Sequence, residues 1–177
     1  AGSGTTAHAV MQLNSEDGGN RKCISVQLPE LCKEENDASK LGYRTITDLA
    51  KERIRRAGKK IREESKDKKL DLGFKSFKLA ESNFKIWNTQ ITNVEQLEQQ
   101  LLDFVDNVRP ESTTEDMLYE LILKSGLELN IVIEEKQAGG GKYHRIGDGS
   151  LIICLADTLT KPLFEAILKD KPEKIVT

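Results

Sequence analysis

No apolar run in this sequence of 177 residues approaches the length of a membrane span. Because a helix that crosses a bilayer needs about 20 predominantly apolar residues, we predict no membrane partner. The first residues are rich in glycine, whereas a secretory leader begins with a basic stretch followed by an apolar one. We therefore expect no signal peptide.

Cysteine and histidine are also scarce. The three cysteines, Cys23, Cys32 and Cys154, are scattered, and the two histidines lie far apart. Because zinc sites need characteristic Cys/His spacings, we predict no metal. Cys23 and Cys154 lie in apolar segments and are predicted to be buried thiols. Few, scattered cysteines are typical of a reducing compartment, so we expect a cytoplasmic protein.

Neither sign of charge dominates, since the net charge is −2. This balance neither favours nor excludes nucleic acid as a partner. The distribution is more informative, because residues 51–69 contain ten Lys or Arg and four Asp or Glu. This segment is the candidate for contacts with nucleic-acid phosphates.

A glycine loop, Gly2-Ser3-Gly4, is the most informative feature that is present. Glycine adopts backbone angles that other residues avoid and leaves room for a ligand. Thr5 or Thr6 is predicted to cap the helix that follows. The free N–H groups of its first turn favour a carboxylate or phosphate. A plain glycine turn before a helix is the alternative, whereas a P-loop is disfavoured because no lysine follows the last glycine.

The first part of the chain has the pattern of half a Rossmann-like unit. We predict a helix over 5–14, a turn at 17–20 and a strand over 23–28 that ends at Pro29. Residues 31–44 are polar and are predicted to be a loop.

A long helix is predicted to begin at the capping box Thr45-Ile46-Thr47-Asp48. A strand is predicted over Phe74–Leu79 from its alternating pattern. The apolar residues of the helix recur at helical spacing and predict one buried stripe: Ile46, Leu49, Ala50, Ile54, Ala57 and Ile61.

Composition shifts after Trp87, and we predict two domains, 1–87 and 88–177. The predicted fold class is α/β, with a partial Rossmann-like domain followed by an α+β C-terminal domain. In the second domain we predict helices over 93–105, from 112–115 to Gly126 and over 160–169, and strands at 129–133, 143–146, 151–155 and from 175, with the turns 139–141 and 147–149 between strands.

Two of the predicted helices have an apolar face. The first is expected to turn Val94, Leu97, Leu101, Phe104 and Val105 inward. The second is expected to pack through Met117, Leu118, Leu121 and Ile122.

Residues 1–10, followed by Asn20-Arg21-Lys22, resemble the cofactor-binding region of DNA methyltransferases that act on exocyclic amines. A longer ordered set resembles the modification subunit of type III restriction–modification systems: Val26–Glu30, Gly42–Ile46, Glu52–Arg56, Leu72–Lys75 and Ile146–Cys154. The resemblance covers almost the whole chain. We expect a C-terminal piece of a larger protein, because no strand precedes the glycine loop and the last strand is short.

The resemblance implies a protein that transfers a methyl group from S-adenosylmethionine to the exocyclic amine of adenine in double-stranded DNA. In this class a catalytic motif of the Asp-Pro-Pro-Tyr type precedes the glycine loop. It is absent here, because the four prolines are never adjacent. We therefore predict no catalytic residue and expect this piece to be inactive by itself.

The resemblance also implies the cofactor contacts. Gly2, Ser3 and Gly4 would pass beside the methionine and ribose portions, and the N–H groups at Thr5 and Thr6 would attract the carboxylate. In related enzymes, an acidic residue at the end of the next strand accepts hydrogen bonds from the ribose hydroxyls of the cofactor. Gln27 occupies that position here, and Glu30 is the alternative acceptor.

Five basic residues of the long helix are candidate contacts to DNA phosphates: Arg53, Arg55, Arg56, Lys59 and Lys60. A solvated helix face is the alternative, and the one that most charge runs represent. For the whole protein the resemblance implies a homodimer and a restriction subunit with helicase and nuclease activity as partners.

Two other functions remain open. The chain is alternatively a non-catalytic module, in which residues 88–177 bind a sister or restriction subunit and the basic helix holds the DNA backbone. A nucleotide-dependent oxidoreductase is disfavoured, because no third glycine follows the glycine loop at the expected spacing.

Overall fold

The computed structural model describes residues 2–33, 35–65 and 69–177. The chain divides into two compact units, Ala1–Ser76 and Phe77–Thr177. The boundary predicted after Trp87 lies inside the second unit. The predicted functional domains, 1–87 and 88–177, stay a prediction. Within the described ranges, no helix is long and apolar enough to cross a membrane.

The first unit is built from helices. They are α1 (Thr5–Asp17), the short α2 (Asp37–Lys40) and α3 (Ile46–Glu64). Helices α1 and α3 contact each other, and Met11, Ile54 and Ile61 form the buried cluster between them. The predicted stripe on the long helix is therefore confirmed where it meets α1.

The predicted capping box at the start of α3 is confirmed. The Asp48 amide donates to Thr45 Oγ1, and the Thr45 amide donates to Asp48 Oδ2, each at 3.2 Å. Two backbone donors of the helix end are satisfied in this way. The Thr45 hydroxyl also donates to the Asp48 carboxylate, and this hydrogen bond is the main reason why the pKa of Asp48 is lowered.

Several predictions in the first unit are wrong. Residues 23–28 are not assigned as a strand, and Ile24 and Val26 are 90% and 81% exposed. Cys23 is exposed, not buried. A strand requires a neighbouring strand, and the described part of this unit contains a single isolated bridge, Leu31 to Thr45. The predicted loop 31–44 contains α2.

The second unit contains helices α4 (Val94–Asp103), α5 (Thr114–Lys124) and α6 (Lys161–Lys169) with a four-stranded sheet. The strands are β1 (Ile133–Ala138), β2 (Gly141–Ile146), β3 (Leu151–Ile153) and β4 (Lys174–Val176), in the order β1-β2-β3-β4. The first three strands are antiparallel, and β4 pairs in parallel with β3. This mixture of helices and strands is compatible with the predicted α/β class, and the Rossmann-like arrangement stays a prediction.

Helices cover both faces of the sheet. Neighbouring residues of β3 point to opposite faces, and each face packs against a different helix. Leu151 and Ile153 join Leu118 and Ile122 of α5 in one cluster. Ile152 joins Leu163 and Ile167 of α6, together with Cys154, in the other. The predicted burial of Cys154 is confirmed.

Helix α5 ends as predicted at Gly126, whose φ is +75°. The Gly126 amide donates to Leu123 O at 2.9 Å and the Leu127 amide to Ile122 O at 3.1 Å, which is a Schellman motif. The strand predicted at 129–133 is wrong, since β1 begins at Ile133. A turn in which the Ile131 amide donates to Glu128 O occupies the segment before it.

Two further predictions are wrong. Residues 74–79 do not form a strand, although the Phe77 ring packs edge to face against Tyr119, with ring centroids 4.9 Å apart. Helix α4 forms close to its predicted bounds, but of the five residues predicted to turn inward Phe104 alone is half-buried, where it packs against the Trp87 ring. Val94 is 68% exposed and Val105 is 86% exposed, and Leu97 and Leu101 are exposed as well.

The β1–β2 turn gives a prediction about stability. Gly139 and Gly140 both have positive φ. A Cβ on Gly139 would lie 2.5 Å from Leu163 N and 2.9 Å from Thr160 Oγ1, whereas nothing lies within 4 Å of one on Gly140. Gly140→Ala should cost about 1 kcal/mol from backbone strain. Gly139→Ala should cost a further 1–3 kcal/mol or so from overpacking.

Urea unfolding followed by circular dichroism measures both variants. Gly140→Ala is the matched control, because it carries the strain without the collision. Equal losses of stability would contradict the packing of this turn against α6.

Candidate cofactor and nucleic-acid sites

The glycine loop is formed by two residues with left-handed backbone angles. The φ of Gly2 is +56° and that of Gly4 is +77°. Gly4 is the N-cap of α1, and no side chain accepts a hydrogen bond there. The prediction that Thr5 or Thr6 caps the helix is therefore wrong, because both lie in its first turn. The amides of that turn lack a side-chain cap, as an anion-binding helix end requires.

The two glycines serve different purposes. A Cβ on Gly4 would lie 3.1 Å from Ala50 O and 3.3 Å from Ile54 Cγ1, both in α3. Gly4 is therefore a packing residue, at which the helices approach closely. A Cβ on Gly2 would meet nothing within 4 Å. The open side of the loop is at Gly2, and steric tests of ligand binding belong there.

Gln27 lies beside the glycine loop. The Gly2 amide donates to Gln27 Oε1 at 2.6 Å, and Gln27 is half-buried. Glu30 is exposed, and its backbone carbonyl accepts from the Ile46 amide at 2.9 Å. No hydrogen bond joins Glu30 to the loop in the described parts of the chain. Of the two candidate ribose acceptors, the structure thus brings Gln27 to the loop.

Arg53 also reaches the glycine loop, a contact that the sequence did not predict. Arg53 Nη1 donates to Ser3 Oγ at 3.2 Å and to Thr5 Oγ1 at 3.0 Å. The signal lies in helical spacing, because residues three and four apart share a face. Arg53 follows Ala50 by three residues, and Ala50 is the residue that Gly4 approaches.

The other four candidate phosphate contacts are exposed, as Arg53 is, and carboxylates of the same helix pair with them. Arg55 and Arg56 lie 3.8 and 2.8 Å from Glu52. The hydrogen bond from Arg56 to Glu52 is the largest cause that raises the pKa of Arg56. Exposed pairs of this kind contribute little stability, so these cations stay accessible to phosphates.

The remaining two basic candidates follow the same pattern. Lys59 lies 4.0 Å from Glu63, and Lys60 lies 3.8 Å from Glu64. A solvated helix face and a phosphate-binding face both have this appearance. Ala1 and residues 66–68, which belong to the glycine motif and the basic segment in sequence, lie outside the described residues.

Comparisons with known proteins identify relatives of the chain. No protein-family model matches it. Over 99% of its length it is 36% identical to the Mod subunit of the type III restriction-modification enzyme EcoP15I of Escherichia coli. Over 45% of its length it is 48% identical to the Mod subunit of the type III enzyme StyLTI of Salmonella typhimurium. Over 30% of its length it is 46% identical to the type II methyltransferase M.KpnI of Klebsiella pneumoniae.

These relatives confirm the resemblance to modification subunits of type III restriction–modification systems, and with it the predicted link to methyltransferases. The chain spans about a quarter of the length of the EcoP15I subunit, since the match covers 26% of it. The matches to the other two proteins cover 12% and 13% of their lengths.

The different surroundings of the two loop glycines give a second prediction. Gly4→Ala places a Cβ against the α3 backbone in a left-handed position, so the first unit should lose about 2–4 kcal/mol of stability. Gly2→Ala adds strain without a collision and should cost about 1 kcal/mol.

Amide hydrogen exchange in α1 and α3 measures the two losses. If both variants exchange equally fast, Gly4 does not form the close contact between the helices.

Proposed function

We propose that this chain belongs to an S-adenosylmethionine-dependent DNA methyltransferase of a type III restriction–modification system, and that it forms part of the cofactor site. The reaction would transfer a methyl group to the exocyclic amine of adenine in double-stranded DNA. The observation that carries the proposal is the glycine loop, with open space at Gly2 and Gln27 against its backbone. The identity to modification subunits supports it.

The residues present fit the cofactor. An uncapped helix end favours the carboxylate of its methionine portion. Gln27 offers an amide that accepts and donates hydrogen bonds to ribose hydroxyls, and Glu30 is the second candidate for that contact. Gly2, Ser3, Gly4, Thr5 and Thr6 would then line the methionine and ribose portions.

When bound, S-adenosylmethionine supplies an electrophilic methyl group on a sulfonium. The contribution of this chain is to bind and orient, which accelerates a transfer by holding the reactants in line. Transfer to a base inside a duplex also requires the adenine to be flipped out of the stack. The chain has no adjacent prolines, so we assign no catalytic residue to it and expect the chain alone to be inactive.

A Rossmann-like arrangement is part of the proposal. Ile24, Val26 and Leu28 are exposed, and exposed apolar side chains close together are typical of a surface that contacts another segment. We propose that residues 23–28 contact other segments of the full-length protein. The same arrangement would present four exposed cations of α3 as candidates for contacts with DNA phosphates: Arg55, Arg56, Lys59 and Lys60.

A methyl-transfer assay tests the proposed function. Full-length natural protein, with a restriction subunit supplied, should transfer labelled methyl from S-adenosylmethionine to adenine in duplex DNA, and the 177-residue chain alone should not. The Gly2→Val variant should bind the cofactor at least about tenfold more weakly, because its side chain fills the open side of the loop.

Gly42→Val is the matched control for this test. Gly42 also has positive φ and open space at its Cβ, but it lies outside the proposed site. No label on DNA of varied sequence would overturn the proposed activity. Equal cofactor affinity of the two variants would overturn the placement of the site.

A second candidate function, as an interaction module, is favoured by α4. Its apolar residues Val94, Leu97 and Leu101 are exposed, and so is Val105 just beyond its end, and such a surface is typical of a protein–protein contact. We propose that residues 88–177 contact a sister subunit, as a homodimer, or the restriction subunit.

The proposed substrate is cellular DNA, so a cytoplasmic location belongs to the proposed methyltransferase function.

The interface should be sensitive to charge. Leu101→Glu puts a carboxylate on the apolar face of α4 and should weaken self-association or restriction-subunit binding at least about tenfold. Glu98→Gln, on the same helix and exposed, is the control. Analytical ultracentrifugation with and without the restriction subunit measures both equilibria, and unchanged assembly would argue against this use of α4.

A further inference from the structure

We propose that Arg53 binds the carboxylate at the methionine end of the cofactor, and that it is not a contact to DNA. This inference rests on the proposed function. Of the five residues predicted to contact DNA, Arg53 is thus assigned a different ligand, the carboxylate of an α-amino acid. The contacts of Arg53, its lack of an acidic partner and the charge of the nearby helix end lead to this assignment.

The contacts place the guanidinium at the loop. Arg53 Nη1 donates to the hydroxyls of Ser3 and Thr5, whose oxygens lie 3.4 Å apart. Both hydroxyls flank Gly4, the N-cap of α1. Arg53 thus lies at the same helix end whose amides lack a side-chain cap.

The partners of Arg53 differ from those of its neighbours. Arg55, Arg56, Lys59 and Lys60 each lie within 4.0 Å of a carboxylate on α3. In the described ranges no carboxylate lies within that distance of Arg53, whose hydrogen bonds go to two neutral hydroxyls. The positive charge at the loop is therefore not neutralised by the described residues.

The charge of Arg53 and that of the helix end favour the same kind of ligand. The N-terminus of a helix carries roughly half a positive charge, and the exposed guanidinium of Arg53 adds a full one beside it. A bound anion interacts favourably with both. A carboxylate also matches the planar fork of donors on arginine, which a lysine or an amide does not provide.

If Arg53 had a purely structural role, its loss would change ligand affinity in a different way. If Arg53 acted by holding Ser3 and Thr5 in place, its loss would weaken every ligand of the loop equally. If Arg53 binds the carboxylate, its loss would weaken only ligands that have one. Two probes separate these roles: S-adenosylmethionine and its decarboxylated form, which keeps the adenosine, the sulfonium and the amine.

Isothermal titration of the full-length natural protein with both probes makes the measurement. Arg53→Gln should bind S-adenosylmethionine about 10- to 100-fold more weakly, the range of one to two charge-assisted hydrogen bonds. Its affinity for the decarboxylated probe should change less than about threefold. Arg53→Lys should lose less affinity, because it keeps the charge without the fork.

Lys51→Gln is the control, because it removes the same charge from the same helix at a residue paired with Asp48. A parallel loss of affinity for both probes in Arg53→Gln would overturn the inference and leave the proposed function intact. So would unchanged affinity for both. If the unaltered protein binds neither probe, the proposed function and this inference fall together.

Discussion

The close approach of Gly4 to the backbone of α3 is the contact on which the candidate site depends. A Cβ at Gly4 would lie 3.1 Å from Ala50 O, which is closer than an ordinary contact, so a residue without a Cβ lets α1 begin against the middle of α3. This contact fixes the direction of the uncapped helix end. It also places Ser3 and Thr5, which flank Gly4, within reach of Arg53. The positions of the loop, of the helix end and of the Arg53 guanidinium therefore all depend on this one contact.

The basic residues of α3 fall into two groups, according to whether they lie beside this contact or away from it. Away from the loop, each of the other four candidate cations has a carboxylate three or four residues away, as in Arg56 and Glu52. Such pairs keep a long basic helix soluble and cost little to rearrange. On the side that faces the loop, Arg53 has hydroxyl partners instead. All five cations are exposed, so it is the hydrogen-bond and ion-pair partners that distinguish Arg53 from the other four.

Features set by local sequence could be predicted, and features that need a distant partner could not. The capping box at Thr45 and the glycine end of α5 involve residues within five positions of each other, and both form as predicted. The strand predicted at 23–28 needs a neighbouring strand, and the described residues offer none for it. For the same reason the contact of Arg53 with Ser3, 50 residues apart in sequence, has no local signal apart from the spacing from Ala50.

The two units differ in how completely they bury their apolar residues, and this difference bears on their proposed uses. In the second unit α5 and α6 cover both faces of the sheet, so Ile152 and Ile153 are fully buried. In the same unit the apolar face of α4 remains exposed, and in the first unit Ile24 and Val26 do. Exposed apolar residues at helical spacing suit a groove on a partner, so α4 supports the proposed contact with a partner subunit. The exposed apolar residues of 23–28 support the proposed contact with other segments of the full-length protein.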